Sequence, residues 1–153
     1  MDLILWRHAE AQLLREGQDD MQRSLTPKGE RQAKRMAEWL NQRLPESTRI
    51  LVSPAVRTQQ TAQALERRFK TVVTLAPECS ADDLLKAARW PQSNEPVLMI
   101  VHQPTLGIVA ARLLAGADLP WSVKKGAVWW LSLRERDGIA QVTLQSVQGP
   151  DKV

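Results

Sequence analysis

The sequence is poor in cysteine, histidine and most aromatic residues: its 153 residues include one cysteine, two histidines, one phenylalanine and no tyrosine. The single thiol, Cys79, excludes an internal disulfide and leaves too few thiols for a cysteine-based zinc or cluster site. Two histidines without a His-Glu-x-x-His spacing form no metal-binding motif, so we expect neither a metal nor a cofactor. The glycine-rich nucleotide loops and the Gly-x-Ser-x-Gly elbow of serine hydrolases are also missing, which argues against those enzyme classes.

Long hydrophobic runs are missing as well. No stretch approaches the roughly 20 apolar residues that span a bilayer. The N-terminus does not resemble a signal peptide, because Asp2 stands in place of a basic start and Arg7 interrupts the apolar run. We therefore expect a cytoplasmic, monomeric protein with no membrane association, formed by a single domain over residues 1–153.

The charge is moderate and mixed in sign. A net charge of +4 fits either a mildly basic surface or an acidic or phosphorylated partner. Basic residues are scattered among acids and few aromatic side chains are available to stack on bases, so we expect no nucleic-acid partner. Arg23 and Lys28 fit either a solvated face or an entrance for an acidic partner.

Short apolar runs alternate with amphipathic segments along the chain. Strands are predicted at residues 2–6, 50–52, 71–75, 96–101, 127–133 and 140–147. Helices are predicted at residues 27–44, 54–69, 81–90 and 104–115, and a loop at 11–25. Thr26, Ser53 and Ser80 are placed to cap helix N-termini, and Asp137-Gly138 is a hairpin signal. This alternation predicts an α/β fold with a mostly parallel central sheet and an antiparallel edge hairpin.

Polar side chains follow three of the predicted strands. Arg7 and His8 follow the first, Arg57 lies in the first turn of the helix after the second, and His102 follows the apolar run at 96–101. Ligands of open α/β sheets bind outside the carboxyl ends of the strands, where such side chains converge. Helix N-termini bring positive dipole ends to the same place. The combination predicts an anion site, and phosphate is the natural candidate because arginine offers forked donors to its oxygens.

Each of these residues alone also fits a structural role, as a surface arginine, a helix residue or a core histidine. Their joint placement at strand ends is what favours a shared site. The tandem Trp129-Trp130 is interpreted as packing on a strand rather than as a ligand platform.

Four segments, in order along the chain, resemble the motifs of a known family. They are residues 7–10, 23–33, 53–62 and 101–104. The first three resemble the Arg-His-Gly, Leu-Thr-x-x-Gly-x-x-Gln-Ala and Ser-Pro-x-x-Arg-x-x-Gln-Thr-Ala elements of the histidine phosphatase superfamily, also called phosphoglycerate mutase-like. The fourth, around His102, is similar to the family's second histidine element. The resemblance covers roughly residues 1–115, and the short chain is similar to the SixA-type phosphohistidine phosphatases.

The resemblance implies a three-layer sandwich with helices on both faces of the sheet. It also implies a metal-independent phosphatase in which His8 is the nucleophile and forms a covalent phosphohistidine intermediate. Arg7, Arg57 and His102 match the family's phosphate pocket. The backbone N–H of Gln103 is expected to add a further donor to the bound substrate.

The general acid and the substrate stay open at this point. Glu78 lies about where many members carry the acid, although its flanking residues differ from the family motif; Asp82 and Asp83 are nearby alternatives. An imidazole leaving group needs less help from an acid than a sugar alcohol does. This favours a phosphohistidine-bearing signalling or phosphotransfer protein as partner over a small phosphorylated metabolite. The alternatives are a small-molecule phosphomonoesterase of the same superfamily and a non-catalytic phosphate-binding protein.

Overall fold

The structure, a computed structural model, describes residues 1–153 and contains one six-stranded sheet. Its strands are β1 (Asp2–Arg7), β2 (Arg49–Val52), β3 (Lys70–Thr71), β4 (Val97–Val101), β5 (Val128–Arg136) and β6 (Ile139–Gln148). They lie in the order β3-β2-β4-β1-β5-β6. The first four in this order are parallel, and β5 and β6 form an antiparallel hairpin at the edge. The predicted sheet is therefore confirmed.

Helices cover both faces of the sheet. They are α1 (Pro27–Asn41), α2 (Val56–Gln63), α3 (Ala81–Ala88) and α4 (Thr105–Ala115). Leu3 and Leu5 of β1 pack in one core with α3 and α4, whereas Ile4 and Trp6 pack in the other with α1 and α2. Because β1 is buried on both faces, its sequence is continuously apolar instead of alternating. The three-layer arrangement implied by the family resemblance is confirmed.

The helix boundary signals are confirmed at three places. Thr26 caps α1 by accepting the Gly29 N–H at 2.9 Å. Ser80 and Asp83 form a reciprocal capping box at α3. At the end of α4, Gly116 takes the left-handed conformation with φ of 74°, as expected for a helix C-terminus.

Two predicted elements differ most in extent from the structure. The strand predicted at 71–75 pairs with β2 only over Lys70–Thr71, and a 3-10 turn at Val73–Leu75 then carries Leu75 into the core. The helix predicted at 54–69 is shorter, because α2 begins only at Val56 and ends at Gln63. Its end tightens into i→i+3 hydrogen bonds that turn the chain. After each of the two elements the chain carries a leucine, Leu75 or Leu65, into the core.

The parallel strands bring the predicted polar residues to one edge of the sheet. Arg7 is in register with Val101 on β4, and Val52 of β2 with Ile100. The residues that follow β1, β2 and β4 therefore emerge side by side. The loop at 117–127 returns to this edge by packing against α4 at Gly107, where any Cβ would collide with the Trp121 carbonyl. None of the four helices has the length and apolar character that a membrane crossing requires.

Candidate active site

A small cavity of about 150 Å³ opens at the carboxyl ends of β1, β2 and β4. It is lined by Arg7, His8, Ala11, Arg23, Arg57, Pro77, His102, Gln103 and Lys125. The five residues predicted to bind an anion all belong to this lining. Glu78 does not: its neighbour Pro77 lines the cavity, whereas Glu78 itself is exposed. No carboxylate is among the lining residues.

His8 is buried, and its ring is held by a hydrogen bond to the backbone of the next residue. Its Nδ1 lies 2.7 Å from the Ala9 carbonyl oxygen, which can only accept a hydrogen bond. In the neutral ring Nδ1 therefore carries the proton and Nε2 keeps its lone pair. Burial is the main cause that lowers the pKa of His8 to about 4, and the charges of Arg57 and Arg7 lower it further against the opposing bond to Ala9. The ring is therefore neutral at physiological pH, with an unprotonated Nε2.

His102 lies beside it, with ring centroids 5.4 Å apart. Its Nε2 is 2.7 Å from the Ser53 hydroxyl oxygen, which also accepts the Ala55 N–H at 3.3 Å. The Ser53 hydroxyl has no other acceptor within the protein, so it donates its proton to Nε2, and Nδ1 carries the ring proton. Nδ1 is buried and has no partner within the protein. Burial, followed by the neighbouring His8 and Arg57, lowers the pKa of His102 to about 3.

The interpretation of Ser53 as a helix cap is wrong. The residue at the cap position of α2 is Ala55, and its side chain cannot accept from the N–H groups of the first helical turn. Ser53 precedes the cap by two residues and instead orients His102. The Ser-Pro pair therefore marks a contact between Ser53 and His102, which follow two neighbouring strands. The local sequence alone cannot distinguish such a contact from a helix cap.

Arg7 and Arg57 use only part of their hydrogen-bonding capacity on the protein. Arg7 donates from Nη1 to the Val123 carbonyl at 2.9 Å. Arg57 donates from Nη1 to the Asp20 carbonyl at 2.8 Å and from Nη2 to the Asp20 carboxylate at 3.0 Å. The Nε–H groups of Arg7 and Arg57 are buried without a partner. Each guanidinium therefore keeps donors for an anion.

Asp20 is a site residue that the sequence did not reveal. Besides bonding to Arg57, its carboxylate accepts from Arg23 Nε at 2.8 Å. Burial acts to raise the pKa of Asp20, but the hydrogen bonds from Arg23 and Arg57 outweigh it and lower the pKa. Asp20 lies in an irregular polar segment, 37 residues before Arg57. No local signal separates it from its neighbour Asp19, which caps the 3-10 turn there.

Lys125 is the second residue that the sequence analysis missed. It lies on the loop at 117–127, which the Gln103 side chain ties to α4: Oε1 accepts the Gly107 N–H at 2.7 Å and Nε2 donates to the Trp121 carbonyl at 2.9 Å. Arg7 bonds to the same loop at Val123. Gln103 thus has a bridging side chain in addition to the backbone N–H predicted for it.

The electrostatic balance of the cavity is strongly positive. Three arginines and Lys125 line it, both histidines are neutral, and Asp20 alone lies in contact as a counter-charge. A small, desolvated cavity of this composition binds a compact anion. No group of three or more His, Cys, Asp and Glu side chains lies close enough to share a metal ion; the metal-free reaction stays a prediction.

Known proteins share this sequence pattern and this geometry. The model of the histidine phosphatase superfamily (branch 1) matches residues 3–80. The chain belongs to the histidine phosphatase superfamily. The phosphatase relatives described next identify it as a phosphatase, and the alternative of a non-catalytic phosphate-binding protein is set aside.

Individual relatives of this histidine phosphatase are similar over most of its length. Phosphohistidine phosphatase SixA of Escherichia coli is 32% identical over 129 residues, which cover 78% of each chain. The SixA homolog of Haemophilus influenzae is 31% identical and covers 74% of this chain and 77% of its own. The structure of the protein histidine phosphatase SixA in complex with tungstate is 27% identical, with a TM-score of 0.80 over 99% of this chain and 98% of that one. These similarities confirm the family and the fold.

The two histidines of this phosphatase are expected to stay neutral far below the usual titration range. Only two imidazole Cε1–H signals should be visible by NMR, and neither should shift between pH 8 and about pH 5, because burial and the arginines disfavour the charged rings. The urea-unfolded chain is the control and should titrate near the ordinary value of about 6.5. A midpoint between about pH 6 and 7 in the folded protein would contradict the assignment.

The same shifts make stability depend on pH. Since both pKa values are lower in the folded than in the unfolded chain, the unfolded chain binds more protons as pH falls below 6.5. With respect to these two residues, the free energy of unfolding is therefore greatest above pH 6.5 and decreases as pH falls toward 4 and 3. At pH 5 the expected loss is about 2 kcal/mol per histidine relative to pH 7, which urea unfolding at the two pH values measures.

Proposed function

We propose that this phosphatase removes the phosphoryl group from phosphohistidine residues of proteins, by way of a covalent intermediate on His8. One observation carries the proposal: the pocket places a neutral imidazole among cations and contains no carboxylic acid. Similar proteins support it, since the E. coli relative is named a phosphohistidine phosphatase. A similar structure holds tungstate, a tetrahedral oxyanion with the shape of phosphate.

In the proposed reaction, the lone pair of His8 Nε2 attacks phosphorus opposite the leaving nitrogen. The new N–P bond forms as the P–N bond of the substrate breaks, and the leaving ring departs as neutral imidazole with its second nitrogen protonated from solvent. The bond from Nδ1–H to the Ala9 carbonyl holds the ring in line and stabilises its developing positive charge. Water then attacks the phosphorus atom of phospho-His8. The O–P bond forms as the bond from phosphorus to Nε2 breaks, the water protons leave with the inorganic phosphate, and Nε2 regains its lone pair.

Arg7, Arg57 and His102 are proposed to bind the three phosphoryl oxygens. Charge spreads onto these oxygens in the transition state, and donors already aimed at them stabilise it without reorganisation. The unpartnered Nε–H groups of the arginines and Nδ1–H of His102 are suited to this role. The Gln103 backbone N–H is proposed as a further donor. In this scheme guanidinium groups supply the positive charge that metal ions supply in many phosphoryl transfers.

The choice of phosphohistidine follows from the leaving group. Glu78 is exposed and outside the lining, the Asp83 carboxylate is engaged in the cap of α3, and Asp82 pairs with Arg112. The hydrogen bonds from Arg23 and Arg57 lower the pKa of Asp20 and keep that carboxyl ionised. Without a protonated carboxylic acid in the pocket, an alkoxide would leave unprotonated, whereas imidazole leaves readily. The cavity of about 150 Å³ is large enough for a phosphoryl group. The lack of a carboxylic acid favours a phosphohistidine-bearing protein over the small-molecule alternative.

A substrate panel tests this proposal. We expect kcat/KM for a phosphohistidine peptide to exceed that for phosphoserine and for sugar phosphates by about 100-fold or more, the usual effect of a positioned general acid. Glu78→Gln should leave every rate within about twofold of the wild type, as should Glu16→Gln, a matched change of another exposed carboxylate. Comparable rates on alkyl esters, together with their selective loss in Glu78→Gln, would instead assign a small-molecule phosphomonoesterase with Glu78 as its acid.

A further inference from the structure

Two more cavities continue from the candidate active site along the surface. One of about 370 Å³ shares Lys125 with the active-site cavity. The next, of about 250 Å³, shares Gln32, Pro150 and Asp151 with it. Arg35 Nη1 donates to the Pro150 carbonyl at 3.4 Å, which holds the C-terminal segment against α1. Together they form a continuous depression from the active-site rim to the first turns of α1.

Six exposed cations line this depression, which we call the basic groove. They are Lys28, Arg31, Arg35, Lys124, Lys125 and Lys152. The only carboxylate in its lining is Asp151. The difference of five charges exceeds the net charge of +4 of the whole chain. The positive charge that looks scattered in the sequence is therefore concentrated beside the active site.

The cations of the groove are not neutralised within the protein. None of the six takes part in a salt bridge, in contrast to Arg112, which pairs with both Asp82 and Asp118. On α1, Lys28, Arg31 and Arg35 follow one another at spacings of three and four and so share one face of the helix. Unpaired like charges on one face repel each other, and an anionic partner relieves that repulsion.

The position of the groove points to the kind of partner. A histidine side chain is short, so the surface around a phosphohistidine must lie directly against the rim of the small active-site cavity, where Lys125 stands. The middle of the groove also has apolar lining from Ala127, Trp129 and Val147, which suits a folded protein surface. Trp129 already packs on Trp121 at 6.1 Å, so it is a poor platform for a nucleic-acid base.

We propose that the basic groove docks an acidic surface of the protein whose phosphohistidine enters the active site. The inference rests on the proposed function and adds the chemistry of the partner to it. Docking contributes to association with the substrate protein and leaves the chemical step untouched. Its effect is therefore expected in KM and in the dependence on salt, not in the hydrolysis of a small phosphate ester.

The test compares two double charge reversals of equal charge change. Lys28→Glu with Arg31→Glu alters the groove; neither side chain makes a hydrogen bond or salt bridge, and an acid near the N-terminus of α1 is compatible with the helix. Lys34→Glu with Arg68→Glu is the matched control, since both residues are exposed and outside the groove. The probes are a peptide with a central phosphohistidine among glutamates, the same peptide with glutamines instead, and 4-nitrophenyl phosphate.

We expect a loss of activity only when the groove variant is combined with the Glu-rich peptide. The groove variant should lower kcat/KM for the Glu-rich peptide by about tenfold or more at low salt, and the loss should shrink at high salt because screening weakens the attraction. The Gln peptide, 4-nitrophenyl phosphate and the control variant should all stay near wild-type values. Equal losses in both double variants, or no loss in the groove variant, would overturn the inference.

Two further outcomes have distinct meanings. A single-stranded oligonucleotide that competes as strongly as the Glu-rich peptide would overturn the assignment to a protein partner. If the wild-type enzyme hydrolyses 4-nitrophenyl phosphate but neither phosphohistidine peptide, the proposed function fails, and the docking inference fails with it. If both peptides are hydrolysed equally well by all variants, only the docking inference fails.

Discussion

His8→Ala is expected to lower kcat by at least about 10⁴-fold, because it removes the atom that accepts the phosphoryl group. No neighbour can replace it. His102 is the only other imidazole, and its Nε2 is engaged by Ser53 at 2.7 Å. The remaining pocket of arginines should still bind the anion, so the variant should retain affinity for phosphate or tungstate while it loses turnover.

The measurement combines kinetics with trapping of the intermediate. Wild-type enzyme quenched in alkali during turnover of 4-nitrophenyl phosphate should carry one phosphoryl group on His8, stable to base and labile to acid. His102→Ala is the matched control: it removes the adjacent ring and keeps the nucleophile, so it should be slower but still become labelled. Undiminished turnover in His8→Ala, or labelling at another residue, would refute the proposed mechanism.

Arg57→Ala is expected to lower kcat/KM by about 10³-fold or more, the size of effect associated with an arginine that stabilises a phosphoryl transition state. Arg57 is buried with only 3% of its surface exposed, so water has little access to stabilise the phosphoryl oxygens in its place. The alanine variant also leaves the Asp20 carboxylate beside the site with Arg23 as its single partner. The pocket would then lose a positive charge, and the less neutralised Asp20 carboxylate would repel the anionic substrate.

Two companion variants separate charge from geometry. Arg57→Lys keeps the cation but loses the planar fork, and it should recover only part of the activity. Asp20→Asn keeps the size of the residue that holds Arg57 and removes the ion pair, so a loss of about tenfold is expected from poorer positioning. Its effect should appear mainly in kcat, with the fold intact by thermal unfolding. Equal activity of Arg57→Ala and the wild type would remove Arg57 from the proposed phosphate pocket.

The sequence by itself determined most of the frame of this protein. Continuous apolar character marked the buried strands, the caps at Thr26 and Ser80 marked helix starts, and polar residues directly after strands marked the edge where a site forms. The strands and caps depend on residues that are close in sequence. The position of the site depends on the rule that the carboxyl ends of parallel strands lie at one edge of the sheet. Both can therefore be predicted from the sequence alone. For the same reason the sequence alone groups Arg7, His8, Arg57 and His102 at one site.

Only the tertiary structure decided the contacts made across long separations. Ser53 reads locally as a helix cap, but the adjacent strand places His102 within its reach, and the hydroxyl orients that ring. Asp20 and Lys125 reach the site from segments without a pattern, because loops are placed by what they pack against. The concentration of charge in the basic groove arises in the same way. Residues near positions 30, 125 and 150 lie close together only in the folded protein, because the tertiary structure brings these distant parts of the sequence together.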